Sequence, residues 1–277
     1  MCFSPRLLFQ VNSTQEHNRR AWDERVRLRK AHTAPVTSRD LENPMALLDE
    51  CGWIGGNITG QRVLCLAAGG ARHSLLCAAA GATVTVVDIS PEMLALDRKI
   101  ADERGLSVRA VEASMDDLSM LPAASFDLII QPVSTCYVPD ILAVYREVAR
   151  VTAPGGLYIS QHKQPASLQA EVVSSLRGYL LNEPYYRTGP LPPVVEGCSH
   201  REAGTVEFLH RWEDLLGGLC RSGFVIEDLI EPRHAHSQAE PGSFAHRSLF
   251  VPPYVTMKAR RKFESIEVAK QTKLWTP

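Results

Sequence analysis

Five short apolar runs follow one another between residues 62 and 162, and a helical or turn-forming segment separates each run from the next. The runs are RVLCLAA, TVTVVDI, SVRAVEA, FDLIIQP and LYISQH. Strands buried on both faces of a parallel sheet read as nearly continuous apolar runs. Strand–helix repeats at this spacing are typical of a doubly wound α/β sheet. The sequence therefore predicts a mostly parallel sheet that binds its ligand at the carboxyl ends of the strands.

Two regions depart from this repeat. Near the N-terminus, Ser13 and Glu16 have the spacing of a capping box, which predicts a helix from Ser13 to about Arg29. After the fifth strand, prolines and glycines interrupt the pattern over residues 164–206, where one short helix, ASLQAEVVSSL, is predicted. We interpret residues 1–60 as an N-terminal helical lid and linker, residues 61–277 as the main domain, and residues 164–206 or so as a cap inserted after strand five.

The composition limits the possible partners and compartments. The 277 residues include 30 basic and 31 acidic side chains, giving a net charge of −1, whereas nucleic-acid binders usually carry a basic excess. The seven cysteines are odd in number and form no C-x-x-C pair, which indicates a reducing compartment. No apolar run approaches the ~20 residues that span a membrane. We expect a cytoplasmic protein with no nucleic acid or membrane partner, and the oligomeric state is left open.

The strongest ligand-binding signal lies at the ends of the first two strands. Gly69 and Gly70 follow the first strand and precede a helix, so a ligand can approach the backbone and its free N–H groups. Asp88 ends the second strand, where a carboxylate can accept hydrogen bonds from a ribose diol. The spacing between Gly69 and Asp88 is close to the ~20 residues expected for α/β proteins that bind nucleosides.

The stretch from VLCLAAGGARH to VDISPEML resembles motif I and the following acidic loop of class I S-adenosylmethionine-dependent methyltransferases. The common form of the motif is V-L-D-L-G-C-G-T-G-R-H, followed by V-D-I-S-P-E-M-L. Residues 87–94 match throughout, and within the motif the matching residues are Val63, Leu64, Leu66, Gly69, Arg72 and His73. Three of the departures concern the acidic residue and the glycines of the motif: Cys65 stands at the acidic position, and Ala67 and Ala71 replace glycines.

The resemblance continues through EASMDDLSMLPAASFDLII and YVPDILAVYREVARVTAPGGLYIS and covers roughly residues 60–163 and 207–262. It implies a Rossmann-like fold of the small-molecule methyltransferase type, with S-adenosyl-L-methionine as cofactor. Asp88 would bind the ribose, and Gln131 could orient the amino group of the cofactor. Either Ser114 or Asp116 would read the adenine edge. Ala67, Gly69 and Gly70 would lie along the methionine part of the cofactor, and Ile89 and Met115 would enclose the adenine.

The departures from the motif leave two functions open. In the family the acidic residue at the position of Cys65 helps to hold the loop or the amino group of the ligand. Alanine tolerates a close backbone approach at positions 67 and 71 if φ stays negative. The sequence favours methyl transfer, and a non-catalytic S-adenosylmethionine-binding or regulatory protein is the alternative. A nicotinamide oxidoreductase is disfavoured, because G-x-G-x-x-G would need glycines at Ala67, Gly69 and Arg72, and one of the three fits.

The acceptor site is predicted at the ends of strands four and five. Methyl transfer needs a nucleophile held close to the methyl group and collinear with it, and sometimes a base. Gln131 could orient the substrate, and Tyr137 could line the pocket or pack in the core. His162 is predicted to face the acceptor pocket as a base, with Lys163 beside it; a structural histidine that ties the cap to the sheet is the alternative.

Two further expectations concern the lid and metals. Asn18 and Trp22 on the first helix could cover the cofactor, and for Trp22 a packing role is equally compatible with the sequence. No histidines have a metal-binding spacing such as H-E-x-x-H, so no metal is expected. The predicted reaction is methyl transfer to an O, N or S atom of a small molecule.

Overall fold

A seven-stranded sheet organises the part of the chain that the computed structural model describes, namely residues 5–175, 178–194 and 200–263, with side chains from residue 13 onward. Its order is β3-β2-β1-β4-β5-β7-β6. The strands are β1 Arg62–Leu66, β2 Thr83–Asp88, β3 Val108–Glu112, β4 Phe126–Gln131, β5 Thr152–Lys163, β6 Phe224–Ile230 and β7 Tyr254–Arg261.

Helices lie in most connections between the strands, as the alternating pattern predicts; the connection from β3 to β4, residues 113–125, has none. They are α1 Pro5–Arg27, α2 Ser38–Glu42, α3 Pro44–Leu48, α4 His73–Ala79, α5 Pro91–Arg104, α6 Ile141–Val151, α7 Pro165–Gln169, α8 Gly218–Arg221 and α9 Phe244–Arg247. A 3₁₀ turn over Thr135–Tyr137 follows β4, and a π-helical turn over Glu213–Gly217 leads into α8. No described helix is both long enough and apolar enough to cross a membrane.

The direction of the strands confirms the doubly wound, Rossmann-like sheet. β1 to β5 pair in parallel, and β7 is antiparallel to both β5 and β6. The chain reverses its direction of travel across the sheet between the neighbouring strands β1 and β4. In open α/β sheets ligands bind beside such a reversal, at the carboxyl ends of the strands.

Apolar side chains on both faces of the sheet form the core. On one face α6 packs through Val144 and Tyr145 against Tyr158 of β5 and Met257 of β7. On the other face Cys65 of β1 belongs to a cluster that includes residues of α4. All four residues from Val63 to Leu66 are fully buried, as expected for a central strand covered on both sides.

The first helix begins earlier than the sequence predicts. It starts at Pro5, so Ser13 lies inside the helix and is not its N-cap. The carboxylate of Glu16 binds Arg19 and Arg20 within the same helix and therefore does not complete a capping box. A one-turn spacing such as Ser13–Glu16 arises inside helices as well as at their starts, and this explains the wrong boundary.

Residues 164–206, called the insert below, contain less helix than predicted. α7 ends at Gln169, Ala170 pairs with Leu181, and the last residue of the predicted helix lies outside the described residues. The buried guanidinium of Arg247 donates to the carbonyl oxygens of Ser167, Ala170 and Glu171. These carbonyls at the end of α7 thus find a side-chain donor, which satisfies them without further helical turns.

Candidate functional site

A cavity of about 1070 Å³ opens at the carboxyl ends of β1, β2 and β4, where the strand order reverses. It brings together most of the predicted site residues, whereas Asp116, His162 and Lys163 do not line it. The predicted residues that line the cavity are Ala67, Gly69, Gly70, Asp88, Ile89, Ser114, Met115, Gln131 and Tyr137, together with Asn18 and Trp22 of the lid helix.

The loop after β1 lies tightly against the end of β2. The backbone N–H of Gly69 donates to Oδ2 of Asp88 at 2.9 Å. A Cβ atom on Gly69 would lie 2.8 Å from Cβ of Met93, and Gly70 has φ +104°, a conformation that favours glycine. Both glycines are therefore needed for the backbone to line the cavity closely.

The two alanines of this loop have positive φ, so the condition of a negative φ under which alanine fits there without strain is not met. Ala67 has φ +47° and Ala71 has φ +58°. The glycine-rich motif places its residues in the left-handed region, and the alanines adopt the same backbone at a cost of about 1–2 kcal/mol per residue. The loop thus keeps its shape with some strain.

The loop is supported by Asp97, a residue that sequence reasoning missed. Cys65, at the usual acidic position, is buried with its sulfur 4.0 Å from that of Cys77, and it does not line the cavity. The fully buried Asp97 of α5 accepts a hydrogen bond from Gly70 N–H at 2.8 Å and one from the hydroxyl of Ser74. Its position on the buried face of α5, beside Met93, was the available signal, because that face of a helix is normally apolar.

Asp88 has the environment of a hydrogen-bonding carboxylate held partly out of water. Oδ1 accepts from the backbone N–H of Ser90 at 2.9 Å, and the residue is 8% exposed. Burial raises the pKa of Asp88 to about 6, although the hydrogen bonds from Ser90 and Gly69 act to lower it. Near neutral pH the group is therefore mainly an acceptor with lone pairs toward the cavity.

The side of the cavity that is predicted to bind adenine lies between helix α1 and the ends of β2 and β3. Ile89 and Met115 line the cavity there. The hydroxyl of Ser114 donates to Asp116, and Nε2 of Gln15 in α1 donates to Ser114 at 3.1 Å and to Asp116 at 3.0 Å. Asp116 therefore belongs to this hydrogen-bonded group without lining the cavity itself.

Helix α1, which the sequence predicts to be a lid, is attached to the rest of the chain and to the insert by two buried polar residues. Oδ1 of Asp23 accepts from the hydroxyl of Ser90 at 2.7 Å. Asn18 uses both ends of its amide: Nδ2 donates to the carbonyls of Tyr137 and Val206, and Oδ1 accepts from Val206 N–H at 2.7 Å. These contacts hold the helix across one wall of the cavity.

At the end of β4, Gln131 presents an amide in one fixed orientation. Its Oε1 accepts from the hydroxyl of Tyr158 at 2.5 Å, and its Nε2 donates to Ser134 at 2.9 Å. The residue is 1% exposed and still contributes to the cavity wall. A locked amide can position a ligand, and it cannot accept a proton as a base.

Tyr137 lines the cavity and is also packed. Its ring makes an edge contact with Trp22, with the centroids 5.8 Å apart. Trp22 therefore packs against Tyr137 and also lines the cavity. The hydroxyl of Tyr137 donates to Oε2 of Glu202 at 2.7 Å. The pKa of the Tyr137 hydroxyl is raised well above its usual range, mainly because the residue is buried. The nearby negative charge of Glu202 raises it further. The phenol is therefore neutral and acts as a hydrogen-bond donor.

His162 lies behind the cavity wall, contrary to the prediction that it faces the acceptor pocket. It shares a face of β5 with Ser160, as predicted, but that face is covered by α6, and the ring packs edge-on against Tyr145 at 6.3 Å. Its two nitrogens pair with the hydroxyls of Thr135 and Ser160, each at 2.8 Å. Burial, with a smaller effect of His210, lowers the pKa of His162 to about 3. The geometry is that of a neutral structural histidine.

Lys163 does not line the cavity either, and its ammonium binds Glu202 at 2.7 Å and Glu207 at 3.2 Å. Glu202 lines the cavity and is a second residue that the sequence did not indicate. It comes from the insert, far from any motif, so only the fold reveals its position. No three histidine, cysteine or acidic side chains among the described residues are grouped so that they could hold a metal ion.

Comparisons with known proteins agree with this geometry. A family model described as "Methyltransferase domain" matches residues 64–160. The uncharacterized methyltransferase YbaJ of Bacillus subtilis is 34% identical over 239 residues, which are 80% of this chain and 92% of the relative.

Solved structures show the same fold. An S-adenosylmethionine dependent methyltransferase from Mesorhizobium loti has a TM-score of 0.61 and 25% identity, covering 74% of this chain and 93% of its own. A putative S-adenosylmethionine dependent methyltransferase from Listeria monocytogenes has a TM-score of 0.62 and 16% identity, covering 80% of this chain and 98% of its own.

Proposed function

Since the chain belongs to the class I S-adenosylmethionine-dependent methyltransferases, we propose that it methylates an O, N or S atom of a small molecule held in the same cavity as the cofactor. The observation that carries this proposal is the extent of the cavity. It runs from Gly69 and Asp88, on the cofactor side, to polar and aromatic side chains of β5 and β7, among them Gln161, Tyr254 and Thr256.

The residues present fit the cofactor. The bare backbone at Gly69 and Gly70 leaves room where a Cβ would collide with Met93, and the carboxylate of Asp88 stands beside it. We assign Asp88 to the ribose, Ile89 and Met115 to the faces of the adenine, and Ser114, which is hydrogen-bonded to Asp116, to its edge. Ala67, Gly69 and Gly70 would lie along the methionine part. The alternative of a non-catalytic binding protein rests on the loss of the acidic residue at Cys65, which in the family helps to hold the loop. Asp97 holds the loop in this chain, so the alternative loses much of its support.

The protein's contribution to the reaction is positioning. The cofactor supplies a methyl group on a positively charged sulfur, and transfer to a nucleophile breaks the S–CH₃ bond and leaves a neutral thioether. Gln131, fixed by Tyr158, and the neutral Tyr137 would orient the acceptor or the cofactor. Holding two reactants in line accounts for much of the rate in such reactions. We assign His162 the role of orienting Thr135 and Ser160, because its imidazole does not reach the cavity wall.

An enclosing wall favours a small acceptor over a macromolecule. Asn18 and Trp22 of the lid and Glu202 of the insert line the cavity together with the strand ends. Concave sites of this kind bury most of the surface of a small ligand. The balanced net charge of −1 gives no general attraction to a nucleic acid.

The proposal is tested by supplying S-adenosylmethionine with a labelled methyl group to the protein and a fractionated bacterial extract. The label is expected in the fraction of small molecules, and its transfer is expected to be lost in the Asp88→Ala variant. Label found in the protein or RNA fractions instead would contradict a small-molecule acceptor.

A further inference from the structure

A cluster of four charged side chains lies where the insert meets the ends of β4 and β5. Lys163 bridges Glu202 at 2.7 Å and Glu207 at 3.2 Å, and Arg201 binds the other oxygen of Glu207 at 3.1 Å. The side chains of Lys163 and Glu207 are 3% and 0% exposed. Buried charges of this kind persist only when they are paired or bind a ligand.

One oxygen of this cluster has no hydrogen bond to any described residue. Oε2 of Glu202 accepts from both Lys163 and Tyr137. Nε2 of His32 lies 4.0 Å from Oε1. The side chain of Glu202 is only 12% exposed, and that exposure is toward the cavity. Oε1 is thus an acceptor available to a ligand.

The charge of Glu202 is only partly compensated. Glu207 has two cationic partners, Lys163 and Arg201, so the single charge of Lys163 is shared between two carboxylates. Burial acts to raise the pKa of Glu202, but the charge of Lys163 outweighs it, and the pKa falls to about 2. A carboxylate with so low a pKa is a poor base and a good partner for a cation.

Two contacts place Glu202 beside the cofactor's methionine end. His32, next to Oε1, has its carbonyl oxygen 3.8 Å from the Cβ position of Gly70. Tyr137, bound to Oε2, follows β4, whose end adjoins the end of β1 in the sheet. Glu202 therefore stands near the loop from Ala67 to Gly70, which follows β1, where Cys65 stands at the usual acidic position.

The other carboxylates that line the cavity are occupied or exposed. Asp49 accepts from the backbone N–H groups of residues 54, 55 and 56. Asp88 accepts from Gly69 and Ser90 and stands at the ribose position. Glu50 is exposed at the surface. Among the described residues, Glu202 alone combines burial with an unused oxygen toward the cavity.

We propose that Glu202 binds the α-ammonium group of the cofactor's methionine moiety, so that the insert supplies the acidic partner that β1 lacks. This inference rests on the proposed use of the cavity by S-adenosylmethionine. It implies that the insert recognises the amino acid part of the cofactor in addition to any role toward the acceptor.

The test is a thermodynamic cycle by isothermal titration calorimetry, combining two proteins with two ligands. The proteins are the wild type and Glu202→Gln, and the ligands are S-adenosylhomocysteine and its analogue without the α-amino group. We expect the wild type to bind the deamino analogue at least tenfold more weakly, and Glu202→Gln to discriminate between the ligands by no more than about twofold. Equal discrimination by both proteins would overturn the proposal, since coupling between the two groups would be absent.

Two controls distinguish a failure of the role proposed for Glu202 from a failure of the proposed binding of S-adenosylmethionine. Glu50→Gln removes an exposed carboxylate of the same cavity and should discriminate as the wild type does. 5′-Methylthioadenosine, which keeps adenine and ribose and lacks the amino acid part, should bind the wild type and Glu202→Gln with equal affinity, which also shows that the variant is folded. Loss of binding for this ligand in the variant would assign Glu202 a structural role instead. A wild type that binds none of the three ligands would overturn the proposed function itself.

Discussion

Asp97 in the middle of α5 accepts a hydrogen bond of 2.8 Å from the backbone N–H of Gly70, 27 residues earlier in the chain. The contact joins the helix after β2 to the loop after β1, which is the loop assigned to the methionine part of the cofactor. A fully buried carboxylate therefore holds the shape of that loop from behind.

Replacing this carboxylate tests the support it gives. Asp97→Asn leaves one acceptor oxygen for Gly70 and Ser74 and turns an N–H₂ group toward one of them. An unsatisfied buried group costs about 1–3 kcal/mol, so we expect a loss of about 2 kcal/mol in the free energy of unfolding and a clear loss of affinity for S-adenosylhomocysteine. Chemical denaturation and calorimetry measure the two effects. Asp102→Asn, an exposed change in the same helix, should alter neither; equal behaviour of the two variants would count against this support.

The strained alanines allow a second prediction. Ala67→Gly relieves the left-handed backbone and loses a partly exposed methyl group, so we expect a gain of about 0.5–1 kcal/mol in the free energy of unfolding. Ala71 is fully buried beside Leu75 and Val36, and its methyl is worth about 0.8 kcal/mol. Ala71→Gly should therefore be neutral or destabilising. Thermal unfolding gives the order, and a larger gain at position 71 would contradict the account.

These cases show what the sequence could reveal and what it could not. Gly69 and Asp88 were predicted because strand pattern and motif spacing are local properties of the chain. Asp97 and Glu202 act on residues distant in sequence, so they emerge only from the fold. For His162 the alternation along β5 was predicted correctly, but the depth of the ring depends on α6 packing over that face. The sign of φ at Ala67 and Ala71 follows from the loop geometry, which the residue type alone does not determine.

The attachment of the lid predicts the kinetics of ligand release. Asn18→Ala removes the three amide hydrogen bonds, two to Val206 of the insert and one to Tyr137, and leaves the N–H of Val206 without its acceptor. We expect S-adenosylhomocysteine to dissociate about tenfold faster, because the lid opens more readily. Surface plasmon resonance measures the rate. His17→Ala, which removes an exposed contact to Gly204 from the same helix, is the matched control, and equal dissociation rates for the two variants would show that Asn18 does not hold the lid.

The buried histidine predicts a pH dependence of stability. His162 has a pKa of about 3 in the folded protein against an ordinary pKa of 6.5, so between these pH values the unfolded chain binds a proton that the folded protein excludes. The free energy of unfolding should fall as the pH drops below about 6.5. His162→Gln should reduce the slope by up to about 1.4 kcal/mol per pH unit, with cofactor affinity within about twofold of the wild type. Urea unfolding between pH 5 and 7.5 measures this, and an unchanged slope would contradict a buried, neutral imidazole.

The central proposal is that Asp88 binds the ribose of S-adenosylmethionine in the cavity at the ends of β1 and β2. The Asp88 pKa of about 6 predicts that S-adenosylhomocysteine binds more weakly as the pH falls below that value, because the protonated acid offers fewer acceptor sites. Asp88→Asn should remove this dependence.

The most direct measurement is calorimetric titration of the wild type and Asp88→Ala with S-adenosylhomocysteine at pH 7.5. Hydrogen bonds to a charged group contribute about 1.5–3 kcal/mol, so we predict one binding site in the wild type and an affinity lower by a factor of about 10–150 in the folded variant. No binding to the wild type, or equal affinity in the two proteins, would contradict the assignment of this cavity.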